Sequence, residues 1–209
     1  MRQVAMNLYQ RILGHPFIYD RVRPLVVGGI DLSPLYRNLD AGPSDVILDI
    51  GCGTGAAHEY LTEFAAYHGF DTDEIAIESA RKKTSAPNVS YECRIVTPAD
   101  IERIAPTKIV LAGLLHHLTD DECLALLQIC AKGPSVRRIA TSDVVYLPRH
   151  YVSNLLAFLD RGRFVRKREQ YLDLPRRAGL RVVQEDLVCS HPKSGKAMYL
   201  MMTLEPPPP

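Results

Sequence analysis

The chain has 209 residues, 46% of them hydrophobic and 23% charged, and a formal net charge of +1. These near-average values exclude a disordered or fibrous chain. They also give no global footprint for nucleic acid, so a basic site for an acidic small molecule would have to be local. The length suits one domain with a sizeable core.

No apolar run approaches the roughly 18 residues that a bilayer span requires. The five cysteines, Cys52, Cys93, Cys123, Cys130 and Cys189, are dispersed with no CxxC pair. With no secretory leader in evidence, they read as reduced thiols of a cytoplasmic protein. No metal site is expected.

The first forty residues read as one or two helices broken at Gly14–His15–Pro16 and Gly28–Gly29, a helical lid over 1–40. Val46, Ile47 and Leu48 then lead into Asp49-Ile50-Gly51-Cys52-Gly53-Thr54-Gly55, a buried parallel strand meeting a glycine turn. Residues 56–65 read as a helix. Residues 67–70 read as a second strand closed by Asp71-Thr72-Asp73, 75–83 as a helix and 89–95 as a third strand.

Lys108 to Leu111 form a fourth strand, followed by Gly113 and the pair His116–His117. Thr119-Asp120-Asp121-Glu122 has the spacing of a capping box, opening a helix that Gly133-Pro134 stops. A fifth strand over 138–145, a mixed stretch, a helix near 169–178 and two strands near 181–188 and 197–204 complete the pattern. Alternating strands and helices predict a doubly wound α/β fold with a mostly parallel sheet and helices on both faces. The last two strands, with only 190–196 between them, should pair antiparallel. The expectation is a single domain over 1–205 and a flexible proline tail over 206–209.

In such sheets ligands bind beyond the carboxyl ends of the strands, where strand order reverses. Gly51 to Gly55 lie at such a place, and glycines let backbone approach a ligand closely. Asp71 follows Asp49 by 22 residues, a spacing that suits hydrogen bonding to a ribose diol. A dinucleotide fold uses the same parts, and a purely structural glycine turn is also open. The discriminator is Asp49, whose carboxylate beside the turn repels a pyrophosphate and attracts an ammonium or sulfonium ligand.

At these residues the chain resembles the class I S-adenosylmethionine-dependent methyltransferase superfamily, in its small-molecule branch. Asp49-Ile50-Gly51-Cys52-Gly53-Thr54-Gly55 matches the first motif of that superfamily, and Gly69-Phe70-Asp71-Thr72-Asp73 is similar to the second. The segment Leu111-Ala112-Gly113-Leu114-Leu115-His116-His117-Leu118-Thr119-Asp120 resembles the region after strand four in many members. The resemblance implies a seven-stranded sheet ordered 3-2-1-4-5-7-6 and S-adenosylmethionine as cofactor. It further implies that Asp49, Gly51 and Gly53, with Cys52 and Gly55 of the same turn, hold the methionine end. Asp71 and Thr72 would take the ribose, and Ala112 and Gly113 would lie under the sulfonium.

The family usually places an acid after strand three for the adenine amino group, and here Asp100 is the sole candidate. Strand four often begins with Asp in the family, where this chain has Lys108, a position expected to be structural.

Methyl transfer is an in-line displacement in which positioning supplies much of the acceleration, and a base assists a protonated acceptor. His116 and His117 are the candidate bases, with structural roles as the competing reading. Tyr146, His150 and Tyr19 are candidate acceptor contacts, Tyr19 by closing the lid. Arg161, Arg163, Arg166, Lys167 and Arg168 form a basic run that suits either an acidic acceptor or a solvated face.

The expected activity is methylation of oxygen or nitrogen on a small molecule, with specialised metabolism as the expected setting. A carbon methyltransferase on a quinone-like or lipid acceptor and a non-catalytic cofactor-binding protein are the alternatives. No nucleic acid and no membrane span are expected, and the oligomeric state is not legible.

Overall fold

The computed structural model describes residues 30–159, 163–190 and 197–207. Most of the 1–40 lid, with Tyr19, lies outside these residues, as do Arg161 and the end of the proline tail. The sheet is built on β1 (Val46–Ile50), flanked in parallel by β2 (Ala66–Asp71) and β4 (Lys108–Ala112). Outward on one side lies β3 (Val89–Cys93), and on the other β5 (Arg138–Tyr146). β5 then pairs antiparallel with β8 (Met198–Glu205), and β8 with the edge strand β7 (Arg181–Cys189).

The order is 3-2-1-4-5-8-7. It is the expected seven-strand order with one addition, the two-residue β6 (Arg166–Lys167) lying beside the end of β5. The anticipated terminal hairpin is present.

Period-two alternation sends successive strand residues to opposite faces, and both faces are covered. Ile47, Tyr67, Val110, Ala140 and Met201 pack under α1 (Ser33–Leu39) and α2 (Glu74–Lys83). Leu48, Ile50, Phe70, Ile109, Leu111 and Ile139 pack on the other side. There they meet α3 (Pro98–Ile104), α4 (Asp120–Ala131) and α6 (Arg168–Arg177). A further helix, α5 (Tyr151–Leu159), follows β5.

The Thr119–Glu122 capping box forms as its spacing predicts. Lys108 is buried and donates from Nζ to the Leu39 carbonyl at 3.0 Å, tying α1 to the sheet, a structural role. Among the described residues no helix is long and apolar enough to cross a membrane.

One expected element is corrected. The helix read over 56–65 is a single four-residue 3-10 turn, Ala56–Glu59, followed by irregular chain. The cause is tertiary. Tyr60 stacks on Tyr36 of α1 at 5.0 Å, while His58 and Phe64 pack on Tyr67 of β2 at 4.6 and 6.0 Å. With Ala57 and Leu61 also buried, the inward residues are spread too widely for one helical stripe.

Candidate active site

The site is built where β1 ends and strand order reverses. Gly51, Gly53 and Gly55 have φ of 79°, 52° and 74°, left-handed conformations that favour glycine. The backbone so turned is pinned to β2. Gly51 and Cys52 N–H both donate to the Phe70 carbonyl, at 2.7 and 3.1 Å. Gly53 N–H donates to Asp71 Oδ2 at 2.8 Å, while Asp71 Oδ1 accepts from Asp73 N–H at 2.9 Å.

Asp71, 5% exposed, therefore straps the glycine turn to β2. Burial raises its pKa against the lowering effect of the backbone N–H groups of Asp73 and Gly53. A carboxylate offers about four lone-pair sites, so these backbone donors do not exhaust its capacity to accept from a ligand hydroxyl. The crevice beside it is lined by Gly51, Asp71, Thr72, Arg94, Val96 and Leu114.

Asp49 sits at 3% exposure in β1, just before the turn, with Tyr67 Oη donating to its Oδ2 at 2.6 Å. Burial, with Asp71 as a like charge nearby, pushes its pKa up to about 7 despite that hydrogen bond. The Cys52 side chain is turned inward among Tyr67 and Tyr91, and burial raises its thiol pKa far above the usual range. Only the backbone of Cys52 is therefore well placed to serve a ligand.

Asp100 does not face the crevice as expected. It closes a capping box at α3, accepting from Thr97 N–H at 2.9 Å and Thr97 Oγ1 at 2.7 Å. It also takes a fork from Arg94, Nη1 to Oδ2 at 2.7 Å and Nη2 to Oδ1 at 2.6 Å, and a bond from a second cation, Arg103, at 3.0 Å. These partners hold its carboxyl well below the usual range, Arg94 contributing most. The group that lines the crevice is Arg94, lying over the Phe70 ring at 4.9 Å, a residue the sequence did not single out.

Beyond β4, Ala112 is half-buried and Gly113, at φ 71°, donates its N–H to the Ser142 carbonyl at 2.7 Å. The following 3-10 turn, Leu115–His117, divides the two histidines. His116 is fully buried, and its Nδ1 and backbone N–H both approach Asp143 Oδ1 of β5, at 2.7 and 3.1 Å. An ionised carboxylate only accepts, so Nδ1 carries the proton. His117 is half-buried with its ring 4.2 Å from that of His116, and it alone of the two has solvent access.

Beneath this turn Arg166 is buried, donating to the carbonyls of Leu115, Phe164 and Leu118 and to Asp120. The basic run is therefore not one surface. Arg166 is internal, Arg168 pairs with Glu185, and Arg163 and Lys167 are exposed. Tyr146 is half-buried at the end of β5, and His150 is exposed in the turn before α5.

Residues 47–133 match the family of methyltransferase domains. Over 109 residues the chain is 31% identical to a malonyl-[acyl-carrier protein] O-methyltransferase of Bacillus anthracis, a match covering 44% of this chain and 40% of that protein. The chain spans less than half the length of the curated relatives it matches.

Among solved structures it is similar to the cyclopropane synthase MmaA2 of Mycobacterium tuberculosis, with a TM-score of 0.63 and 14% identity over 83% of this chain and 82% of that one. It is also similar to the SAH-bound form of CalO1, a methyltransferase in calicheamicin biosynthesis. That match has a TM-score of 0.60 and 18% identity over 84% of this chain and 53% of that one. At these identities the structural likeness speaks for the fold.

Proposed function

Since the chain carries a class I methyltransferase domain, we propose that it binds S-adenosylmethionine and transfers a methyl group to an oxygen or nitrogen of a small-molecule acceptor. One observation carries this reading: two buried carboxylates stand at the glycine turn, Asp49 just before it in β1 and Asp71 bonded to Gly53 within it. A diphosphate placed there faces two anions, and the four-residue 3-10 turn after Gly55 is too short to supply the dipole that dinucleotide sites use. A nucleoside with a cationic tail fits both groups, its diol on the open lone pairs of Asp71 and its ammonium toward Asp49.

Gly51, Gly53 and Gly55 would supply backbone at close range, Thr72 and Arg94 would hold the nucleoside, and Ala112 and Gly113, at the end of β4, would serve the methyl-bearing end. When bound, the cofactor supplies an electrophilic methyl carbon on a sulfonium. The chain's own part is to orient the acceptor, exclude water and accept its proton. His117 Nδ1 or Nε2 serves that last step, and His116, locked to Asp143, positions the turn that carries it. Calorimetry should show binding of S-adenosylmethionine and not of NAD, and tight NAD binding overturns the reading.

Asp71→Ala is expected to weaken S-adenosylmethionine binding by about 1–3 kcal/mol, through loss of a charge-assisted hydrogen bond. Unchanged affinity contradicts the ribose assignment. His117→Ala should lower kcat roughly 10²-fold or more while leaving cofactor affinity within about threefold. His116→Ala should act mainly on thermal stability. Turnover by His117→Ala within tenfold of wild type removes the base from the scheme.

A second reading has its own observation. α5 exposes Tyr151, Val152, Leu155 and Phe158, an apolar stripe near the end of β5 that favours an apolar, lipid- or quinone-like acceptor methylated on carbon. Incubating the protein with methyl-labelled cofactor and cell extract, then identifying the labelled product, separates the two.

A further inference from the structure

We propose that Tyr67 is a positioning residue for capture of the cofactor's cationic end: its hydroxyl, donated to Asp49, keeps that carboxylate aimed and anionic where, among the described residues, no cationic side chain bonds to it. The inference rests on the cofactor reading above. Its basis is geometric.

Register places Ile47 opposite Tyr67 and Asp49 opposite Gly69, so Tyr67 and Asp49 share one face of the sheet, two residues apart along the strand direction. The Tyr67 ring is fully buried, held by His58 at 4.6 Å, Tyr91 at 5.7 Å and Phe64 at 6.0 Å. Packed in this way it cannot swing aside, and its Oη stands 2.6 Å from Asp49 Oδ2.

Among the described residues, the titratable groups coupled to Asp49 lie on α1, the glycine turn, β2 and β3. They are Tyr36 of α1, Cys52 of the glycine turn, Tyr67 and Asp71 of β2, and Tyr91 of β3. One is a like charge and four are weak acids neutral at pH 7. The carboxylate thus lacks a cationic partner from this set and relies on a single hydroxyl. A ligand ammonium then fills a vacancy in charge, and binding releases the proton that burial otherwise retains on Asp49 near neutral pH. The sign follows. Protonated Asp49 is a poor receptor for a cation, so affinity falls as pH drops below about 7.

The test is calorimetric titration of S-adenosylmethionine between pH 5 and 7.5, below the range of about 7.7–8.0 where an α-amino group loses its proton. For the wild type, affinity should rise about tenfold per pH unit and level near 7. Tyr67→Phe keeps the packed ring and removes only the donor. It should weaken binding at pH 6.5 about tenfold, the worth of one charge-assisted hydrogen bond, and leave the affinity still rising at pH 7.5 with no plateau in the titrated range.

5′-Methylthioadenosine keeps the diol and base and lacks the ammonium, so its affinity should be unaffected by Tyr67→Phe. In an Asp49→Asn background, Tyr67→Phe should change S-adenosylmethionine affinity by less than about twofold, since the acid it serves is gone. Superposable pH profiles for wild type and Tyr67→Phe, or equal weakening of both ligands, overturn the inference and leave the cofactor reading standing. Failure of the wild type to bind S-adenosylmethionine at any pH overturns that reading and this inference with it.

Discussion

Arg166→Met is expected to lower the melting temperature by roughly 8–16 °C. The guanidinium is 4% exposed and satisfies the carbonyls of Leu115 at 2.9 Å and Leu118 at 2.6 Å, in residues that are themselves 0% and 2% exposed. It also holds the Phe164 carbonyl at 2.9 Å and Asp120 at 2.7 Å, and lies over the Tyr171 ring at 5.6 Å.

Methionine fills much of the volume but donates nothing. Each buried acceptor left unpaired costs about 1–3 kcal/mol, so the total is on the order of 4 kcal/mol. For a chain of this size each kcal/mol is worth about 2–4 °C. Arg166→Lys, a point donor in place of a fork, should recover about half. The turn that loosens carries His117, whereas Asp71, the proposed ribose contact, sits on β2. Turnover should therefore fall while S-adenosylmethionine affinity stays within about threefold. Thermal melts and calorimetry on the two variants decide it, and a shift under about 3 °C for Arg166→Met sinks the account.

This dependence on one arginine marks where sequence reading stops. In the chain it belongs to a basic run that reads as a solvated face or an anion site, and nothing local separates Arg166 from Arg163 or Lys167. Its burial is a property of the turn folded above it. The histidine pair shows the same limit. Adjacent residues point in different directions, so a pair in sequence cannot say which ring is enclosed, and Asp143, which settles it, lies 27 residues away.

What was legible rested on short-range chemistry. The run into the glycines marked β1 and its turn, Thr119 and Glu122 marked the start of α4, and the missing helix between the last strands marked the hairpin. The signal for α3 was also present and passed over. Thr97-Pro98-Ala99-Asp100 combines a capping box with proline in the first turn, and reading Asp100 as an adenine contact obscured it. The helix read over 56–65 failed for the opposite reason, since its local pattern yielded to Tyr36 and Tyr67, aromatic partners distant in sequence.

Gly69→Ala should cost about 3 kcal/mol, and the size of that loss depends on Tyr91. Gly69 lies in β2 with no positive φ, so backbone strain contributes nothing and alanine is, if anything, the better strand residue. The obstacle is space. A Cβ there would stand 2.7 and 2.8 Å from Tyr91 Cδ1 and Cε1 and 2.9 Å from Cys52 Sγ.

The Tyr91 ring has little room to yield, because its Oη reaches over Gly55, where a Cβ would lie at 2.7 Å, and its edge meets Tyr67. Overpacking of this kind costs about 1–3 kcal/mol, and two tight neighbours put Gly69→Ala at the upper end. Since Cys52 belongs to the glycine turn, displacing it also loosens the Gly53–Asp71 strap and should weaken cofactor binding.

A double-mutant cycle isolates the cause. With Tyr91→Leu already in place, Gly69→Ala should cost less than about 1 kcal/mol, a coupling of about 2 kcal/mol between residues that register sets side by side. Simple additivity in denaturant melts shows that the ring is not what excludes a side chain from β2. Gly69, two residues before Asp71, would then owe its place to something other than the aromatic layer beneath it.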